Sequence, residues 1–289
     1  ANQKDFEKIP GSPIGYWVSD KVINTFTCDK SNSILKARHG ILTGNDIRFL
    51  KYWHETCLGA IGFNCREFSE INYQIVPFYP LNKGGGKRKW FGNFNYIVNL
   101  NSFDTLFNNS KLNEKELFFK PGITWSEINT GGISTRYTPF GILFGHKGPT
   151  AFFDNTKQLF YYLGFSNTKP FKNFKAIINS TLSFTSGNME EIPIIQNDNH
   201  ILLIFDIVSC CIKISKTDWD SRETSWDFQQ NELIRCKSNC GQNCADIDLL
   251  SEEDRNEISE IEKMPTDSNL LKDCYEAYKS KWTKMFFQL

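Results

Sequence analysis

The sequence predicts an α+β fold: a mixed β-sheet packed with helices up to about residue 197, followed by a helical segment over 198–289. Three observations carry that expectation. Between residues 71 and 153 the chain runs in short β-type stretches broken by Gly and Pro. From residue 155 the apolar period changes, and Leu159, Phe160, Tyr162 and Leu163 fall on one helical face. Beyond residue 219 the chain turns polar while keeping helical patterning. With 289 residues, 40% hydrophobic and 15% aromatic, the chain can bury a sizeable core, and disorder throughout is excluded.

The elements follow in order. Residues 9–27 open on Pro and Gly and continue as a helix, with Trp17, Val18, Val22, Ile23 and Phe26 at core-facing spacing. A strand-like run from Ile34 to Leu42 leads to Thr43, Asn45 or Asp46 as the cap of a helical turn carrying Phe49, Leu50 and Trp53. An extended segment over 71–80 ends at Pro80, and a glycine loop follows. Residues 94–100 read as a strand, and 116–128 as an apolar strand closed by Pro121 and Gly122. "PFKNFKAIINSTLSF" repeats the helical pattern of the preceding segment, and 198–219 is a long helix. Two further helical stretches are separated by Pro265.

Composition excludes several classes. The longest apolar candidate, "ILLIFDIVSCCIKI", is short for a membrane span and is interrupted by Asp206. Lys4, Asp5, Glu7 and Lys8 leave no signal-peptide core, and the start at Ala1 suggests a piece of a longer protein. Nine cysteines without a framework fit thiols in a reducing cytoplasm. Cys236, Cys240 and Cys244 could form one edge of a zinc site but lack a fourth ligand at familiar spacing, so ordinary thiols are the favoured reading. Residues 1–150 hold 18 Lys+Arg against 12 Asp+Glu, whereas 221–289 hold 9 against 14, a split that points to a polyanion on one side.

No catalytic constellation accompanies this charge. His39, His54, His146 and His200 lie far apart in the chain, and paired carboxylates such as Asp218 with Asp220 sit in polar surroundings that do not raise an acid's pKa. "NKGGGKRKWFGN" is not a Walker A loop, because Arg88 follows Lys87 where a magnesium-holding Ser or Thr belongs. Cations alternate instead with amides and aromatics. Arg38, Thr43, Asn45 and Arg48 form one group, Lys83 to Trp90 another, and Arg136, Tyr137 and Lys147 a third. This mixture suits a nucleic acid: Lys and Arg neutralise phosphates, glycines admit close approach, and Asn or Arg reads base edges.

"NKGGGKRKWFGN" also resembles the KGGxxRKW(Y/F)GN signature of PglX-like adenine-specific DNA methyltransferases of BREX phage-defence systems. "IPGSPIGYWVSD", "GILTGNDIRFLKYWHE", "KPGITWSEI", "STRYTPFGILFGHKGP", "NSTLSFTSGNMEEIPI" and "ISKTDWDSRETSWDF" follow in the family's order, so the likeness spans about residues 3–228. Arg38-His39-Gly40 departs from the usual Arg-Gln-Gly, and Asn45-Asp46 inverts the commoner order. The family's (N/D)PP(Y/F) loop does not occur in these residues. The resemblance implies the C-terminal target-recognition part of such an enzyme, with recognition over 1–197 and a helical spacer over 198–289. It implies no cofactor in this chain and S-adenosylmethionine for a methyltransferase domain elsewhere, with double-stranded DNA and that domain as partners. On this reading Gly84, Gly85 and Gly86 let a loop lie along the sugar-phosphate chain. Lys83, Lys87, Arg88 and Lys89 neutralise that chain, and Trp90 anchors the loop in the core. The alternatives are a brace against the methyltransferase domain, or a protein-interaction domain whose acidic tail docks other defence-complex proteins or a phage DNA mimic.

Overall fold

The computed structural model describes residues 6–101, 111–130, 132–194, 198–231, 275–276, 279–280 and 282–283. Packing divides the chain into two units, Ala1–Val208 and Ser209–Leu289. The strands are β1 (Lys36–Arg38), β2 (Leu50–Tyr52), β3 (Phe78–Asn82), β4 (Tyr96–Asn99), β5 (Gly122–Thr124), β6 (Arg136–Thr138), β7 (Leu143–Phe144) and β8 (Thr150–Phe152). The helices are α1 (Asp20–Thr25), α2 (Asp46–Phe49), α3 (Thr156–Ser166), α4 (Lys169–Ile178), α5 (Ser186–Glu190) and α6 (Ile201–Asp220). The fold is α+β, with two sheets. One has the order β1-β8-β5-β6 and is antiparallel throughout; the other, β2-β4-β3-β7, is mixed because β7 runs parallel to β3.

The main core collects aromatic rings from both sheets. Tyr79 and Leu81 of β3, Val98 of β4, Phe144 of β7 and Phe152 of β8 pack with Phe118 and Phe119. Edge-on ring pairs such as Phe144 with Phe152 at 5.0 Å add orientation to the burial. The helices α3, α4 and α5 close over β5 and its neighbours: Trp125 is fully buried and its indole N–H donates to the Phe184 carbonyl at 2.7 Å. Tyr162 of α3 is buried as well, its hydroxyl 2.9 Å from that of Ser31. The predicted face of α3 therefore points inward, with Leu159, Tyr162 and Leu163 buried.

Local turns shorten three expected elements. The helix over 9–27 is only α1, because Gly11 and Ser12 adopt left-handed φ and a Gly15–Val18 turn precedes the helix; Trp17 is 65% exposed instead of core-facing. Helix α2 ends at Phe49, so Leu50 begins a strand and Trp53 a short 3-10 turn. Pro121 and Gly122 open β5 instead of closing it. The preceding apolar run turns at Phe119, whose φ is 64°, and Phe118 and Phe119 are core plugs outside any strand. The long helix over 198–219 is α6, preceded by one 3-10 turn. Cys236, Cys240, Cys244 and Pro265 lie outside the described residues.

In the second unit, the end of α6 is held by local charge pairs. Lys216 meets Asp220 and Asp227, Arg222 meets Asp218 at 2.9 Å, and the Ser225 hydroxyl donates to Asp220 at 2.7 Å. No helix among the described residues is long and apolar enough to cross a membrane.

Candidate nucleic-acid interface

The glycine loop grows from the point where the two sheets are stitched together. Asn82, fully buried at the end of β3, donates its side-chain amide to the Thr124 hydroxyl of β5 and, at 3.4 Å, to the Gly148 carbonyl. Its amide oxygen accepts from Gly84 N–H at 3.1 Å, which starts the loop. Gly84 and Gly85 have φ of 91° and 121°, and a Cβ on Gly84 would stand 2.9 Å from the Lys147 carbonyl oxygen. On Gly85 it would meet the Asn93 side chain at the same distance. These glycines therefore serve close packing within the chain; Gly86 alone of the three faces open space.

The loop is pinned along its length rather than at one end. Ser126 donates to the Gly85 carbonyl at 2.6 Å and Asn93 to the Gly86 carbonyl at 2.8 Å. Trp90 is half-buried, so its indole is not a core anchor. Its backbone, at φ 68°, takes that role: Trp90 N–H donates to Thr135 and its carbonyl accepts from Tyr137.

The predicted cations divide by environment. Lys87 is exposed, and Arg88 is half-buried with its backbone N–H on the Ser134 hydroxyl. Lys89 donates to the Asn167 carbonyl at 3.2 Å, at the C-terminal end of α3 where carbonyls lack helical partners. Arg38 lies between Glu190, at 2.8 Å, and Glu114, at 3.4 Å. Arg136 and Tyr137 point to opposite faces of β6, as strand alternation requires. Tyr137 packs edge-on against Phe160 of α3 at 5.7 Å, and burial pushes its phenol pKa up.

Arg136 is fully buried, and among the described residues none of its three guanidinium nitrogens has a hydrogen-bond partner. Burial, and after it the nearby charge of Arg88, pulls its pKa down to about 10, so it keeps its proton at neutral pH. A buried cation without a counterion among the described residues is expensive.

Thr43, Asn45, Lys83 and Lys147 line one concave cavity of about 410 Å³. Asn45 caps α2 by accepting from Arg48 N–H at 3.1 Å, while the Thr43 hydroxyl donates to Asp46. Asp46, which composition singles out only as a possible cap, is the electrostatic centre of the cavity. Its carboxylate meets Lys83 at 2.9 Å and Lys147 at 3.9 Å. Burial opposes its charge, but the Thr43 hydroxyl and the Lys83 ammonium, with Lys147 beyond, outweigh burial and hold the carboxyl below its ordinary range. Lys83 also lies 4.9 Å over the ring of Tyr96. Tyr96 stacks on Tyr52, and Tyr52 on His54, at 4.8 and 5.5 Å, a ladder of rings across β4, β2 and the turn after β2. Only the period-2 positions of 50–52 and 96–99 could have hinted at that ladder.

Two histidines that are far apart in sequence meet: His39 and His146 have ring centroids 4.5 Å apart. The glycine loop itself is not built as a cofactor cradle. The glycine loop opens no helix, and the faces of Gly84 and Gly85 are filled by Lys147, Ser126 and Asn93.

No family model matches the chain. It is 35% identical over 267 residues to "Adenine-specific methyltransferase BrxX" of Escherichia coli O9:H4 (strain HS), a match covering 90% of this chain and 21% of that protein. It is 33% identical over 248 residues to "Adenine-specific methyltransferase PglX" of Lacticaseibacillus casei (strain Zhang), covering 80% of this chain and 20% of that protein. The chain thus spans about a fifth of the length of the curated relatives it matches.

Proposed function

We propose that this chain is the sequence-specific duplex-DNA recognition module of a longer adenine-specific DNA methyltransferase of a phage-defence system. Methyl transfer, with its S-adenosylmethionine, belongs to another part of the protein. The reading assigns target recognition to 1–197 and a spacer to the helical 198–289, in a cytoplasmic enzyme. The observation that carries it is convergence: Thr43 and Asn45, Lys83 of the glycine loop, and Lys147, separated by about a hundred residues in sequence, line one concavity. A void of about 410 Å³ is too small for a duplex but admits a phosphate or a base edge, so the helix would lie across its mouth. Lys87, Arg88 and Lys147 supply phosphate contacts, and Asn45 and Arg48 on α2 supply polar groups for base edges.

One observation favours the brace. Lys83, Lys89 and Arg38 already have internal partners, which suits a loop that holds shape against a neighbouring domain. Replacing Lys87, Arg88 and Lys147 together by Ala separates the two. DNA recognition predicts a large loss of duplex affinity with melting temperature preserved; unchanged affinity favours the brace and removes the DNA reading.

A further inference from the structure

Three side chains that the loop reading does not use converge beside it. His39 follows β1, Glu127 follows β5 and His146 follows β7, and their ligand-capable atoms all lie within 4.8 Å of one another. The backbones that carry them are bonded together: His146 N–H donates to Ile41 at 2.9 Å, Ile41 N–H to Phe144 at 2.8 Å, and Glu127 N–H to Lys147 at 3.2 Å. Gly40 makes this possible, because a Cβ there would stand 2.0 Å from the Phe144 carbonyl oxygen. The trio therefore stands on a cross-braced scaffold.

The hydrogen bonding of His39 points to a ligand. Its Nδ1 lies 2.9 Å from the His146 carbonyl oxygen, which can only accept, so the neutral ring carries its proton on Nδ1 and leaves the Nε2 lone pair for a ligand. Metal-bound imidazoles are held in this way, with the second ring nitrogen donating to a backbone carbonyl or carboxylate. The Ser183 hydroxyl, 3.4 Å from Glu127 Oε1, gives the carboxylate an outer partner of the same kind. His39 and Glu127 are half-buried and His146 is exposed, so the centre of the trio is reachable from solvent. Bonds of about 2.0–2.2 Å to a tetrahedral ion place ligand atoms roughly 3.3 Å apart, so loading would close the present spacing by side-chain rotation.

We infer that His39, His146 and Glu127 hold a divalent transition-metal ion of the zinc class, with its fourth position open. Two imidazoles and one carboxylate favour borderline ions over magnesium or calcium, which prefer all-oxygen shells. The ion would clamp the turn carrying Lys147 to the ends of β1 and β5. With one carboxylate among its ligands it would leave net positive charge next to that lysine.

The test is titration of the metal-free full chain with Co2+, followed by visible absorption, with the melting temperature measured with and without Zn2+. The inference predicts one Co2+ per chain with ligand-field bands and no thiolate charge-transfer band. It also predicts at least about tenfold weaker binding in H39Q and in E127Q, and a Zn2+-dependent rise in melting temperature that H146A abolishes. His146 is exposed, so H146A retains the fold even if a buried-side variant does not. Thiolate-type absorption alone, binding unchanged in H146A, or no Co2+ bound by the folded chain would each overturn it. None of these readouts involves DNA.

Discussion

Arg136 and Asp46 set the electrostatics of the candidate interface in opposite ways. Arg136 is a buried cation whose guanidinium has no partner among the described residues, so Arg136→Met, which keeps an apolar chain of similar length, should raise stability by about 1–3 kcal/mol. If the field of Arg136 supports anion binding, the same variant should bind duplex DNA less tightly; thermal melting and a binding isotherm read the two effects together. Asp46 is a built-in counterion for Lys83 and Lys147. Asp46→Asn should therefore raise duplex affinity and steepen its salt dependence. The pH dependence has the same sign. The Asp46 pKa is depressed in the fold, so its stabilising contribution is present above the ordinary carboxylate range and is lost as pH falls through the folded value. Over that window affinity measured on folded protein should rise. Affinity unchanged by Asp46→Asn would mean that Lys83 and Lys147 do not touch the ligand.

At the scale of elements, the seam between the sheets decides where the loop lies. Thr124→Val keeps shape but removes the hydroxyl that receives the buried Asn82 amide, and should cost about 1–3 kcal/mol in chemical denaturation. Gly40→Ala should cost about 3 kcal/mol or more, because the clash is with backbone and cannot be relieved by a rotamer. The sequence made part of this scale legible. The helical face of α3 follows from residue spacing, and Asn45 is one of the three residues the sequence offers as the cap of α2. The seam does not, since strands of two to five residues carry too little periodicity to fix partners or register. Pro121 with Gly122 marked a boundary without telling which side the strand lies on, and β5 proved to begin there.

At the scale of the whole molecule, sequence order concealed the site. The cationic groups around 38–48, 83–90 and 136–147 were visible as clusters, but which side chains are consumed internally is a tertiary fact: Arg38 between two glutamates, Lys89 at the end of α3, and Arg136 under the loop. His39 and His146 read as isolated because only the pairing of β3 with β7, and the Ile41 and Gly145 bridge beside it, brings them face to face. The relatives are about five times longer than the match, and on the proposed reading the rest of such a protein would offer DNA contacts of its own. Recognition by this piece alone should then be weaker than that of a complete protein.

On the proposed reading, the surface around the glycine loop takes up duplex DNA through its phosphates, which a salt titration of duplex affinity reads out. With about five phosphates neutralised, log affinity should fall against log salt with a slope near −4 to −5. The Lys87, Arg88 and Lys147 triple-alanine variant should lose about 2.7 of that slope, roughly 0.9 per lost contact. A folded chain whose duplex affinity is indifferent to salt, or a triple variant with the wild-type slope, would contradict the account.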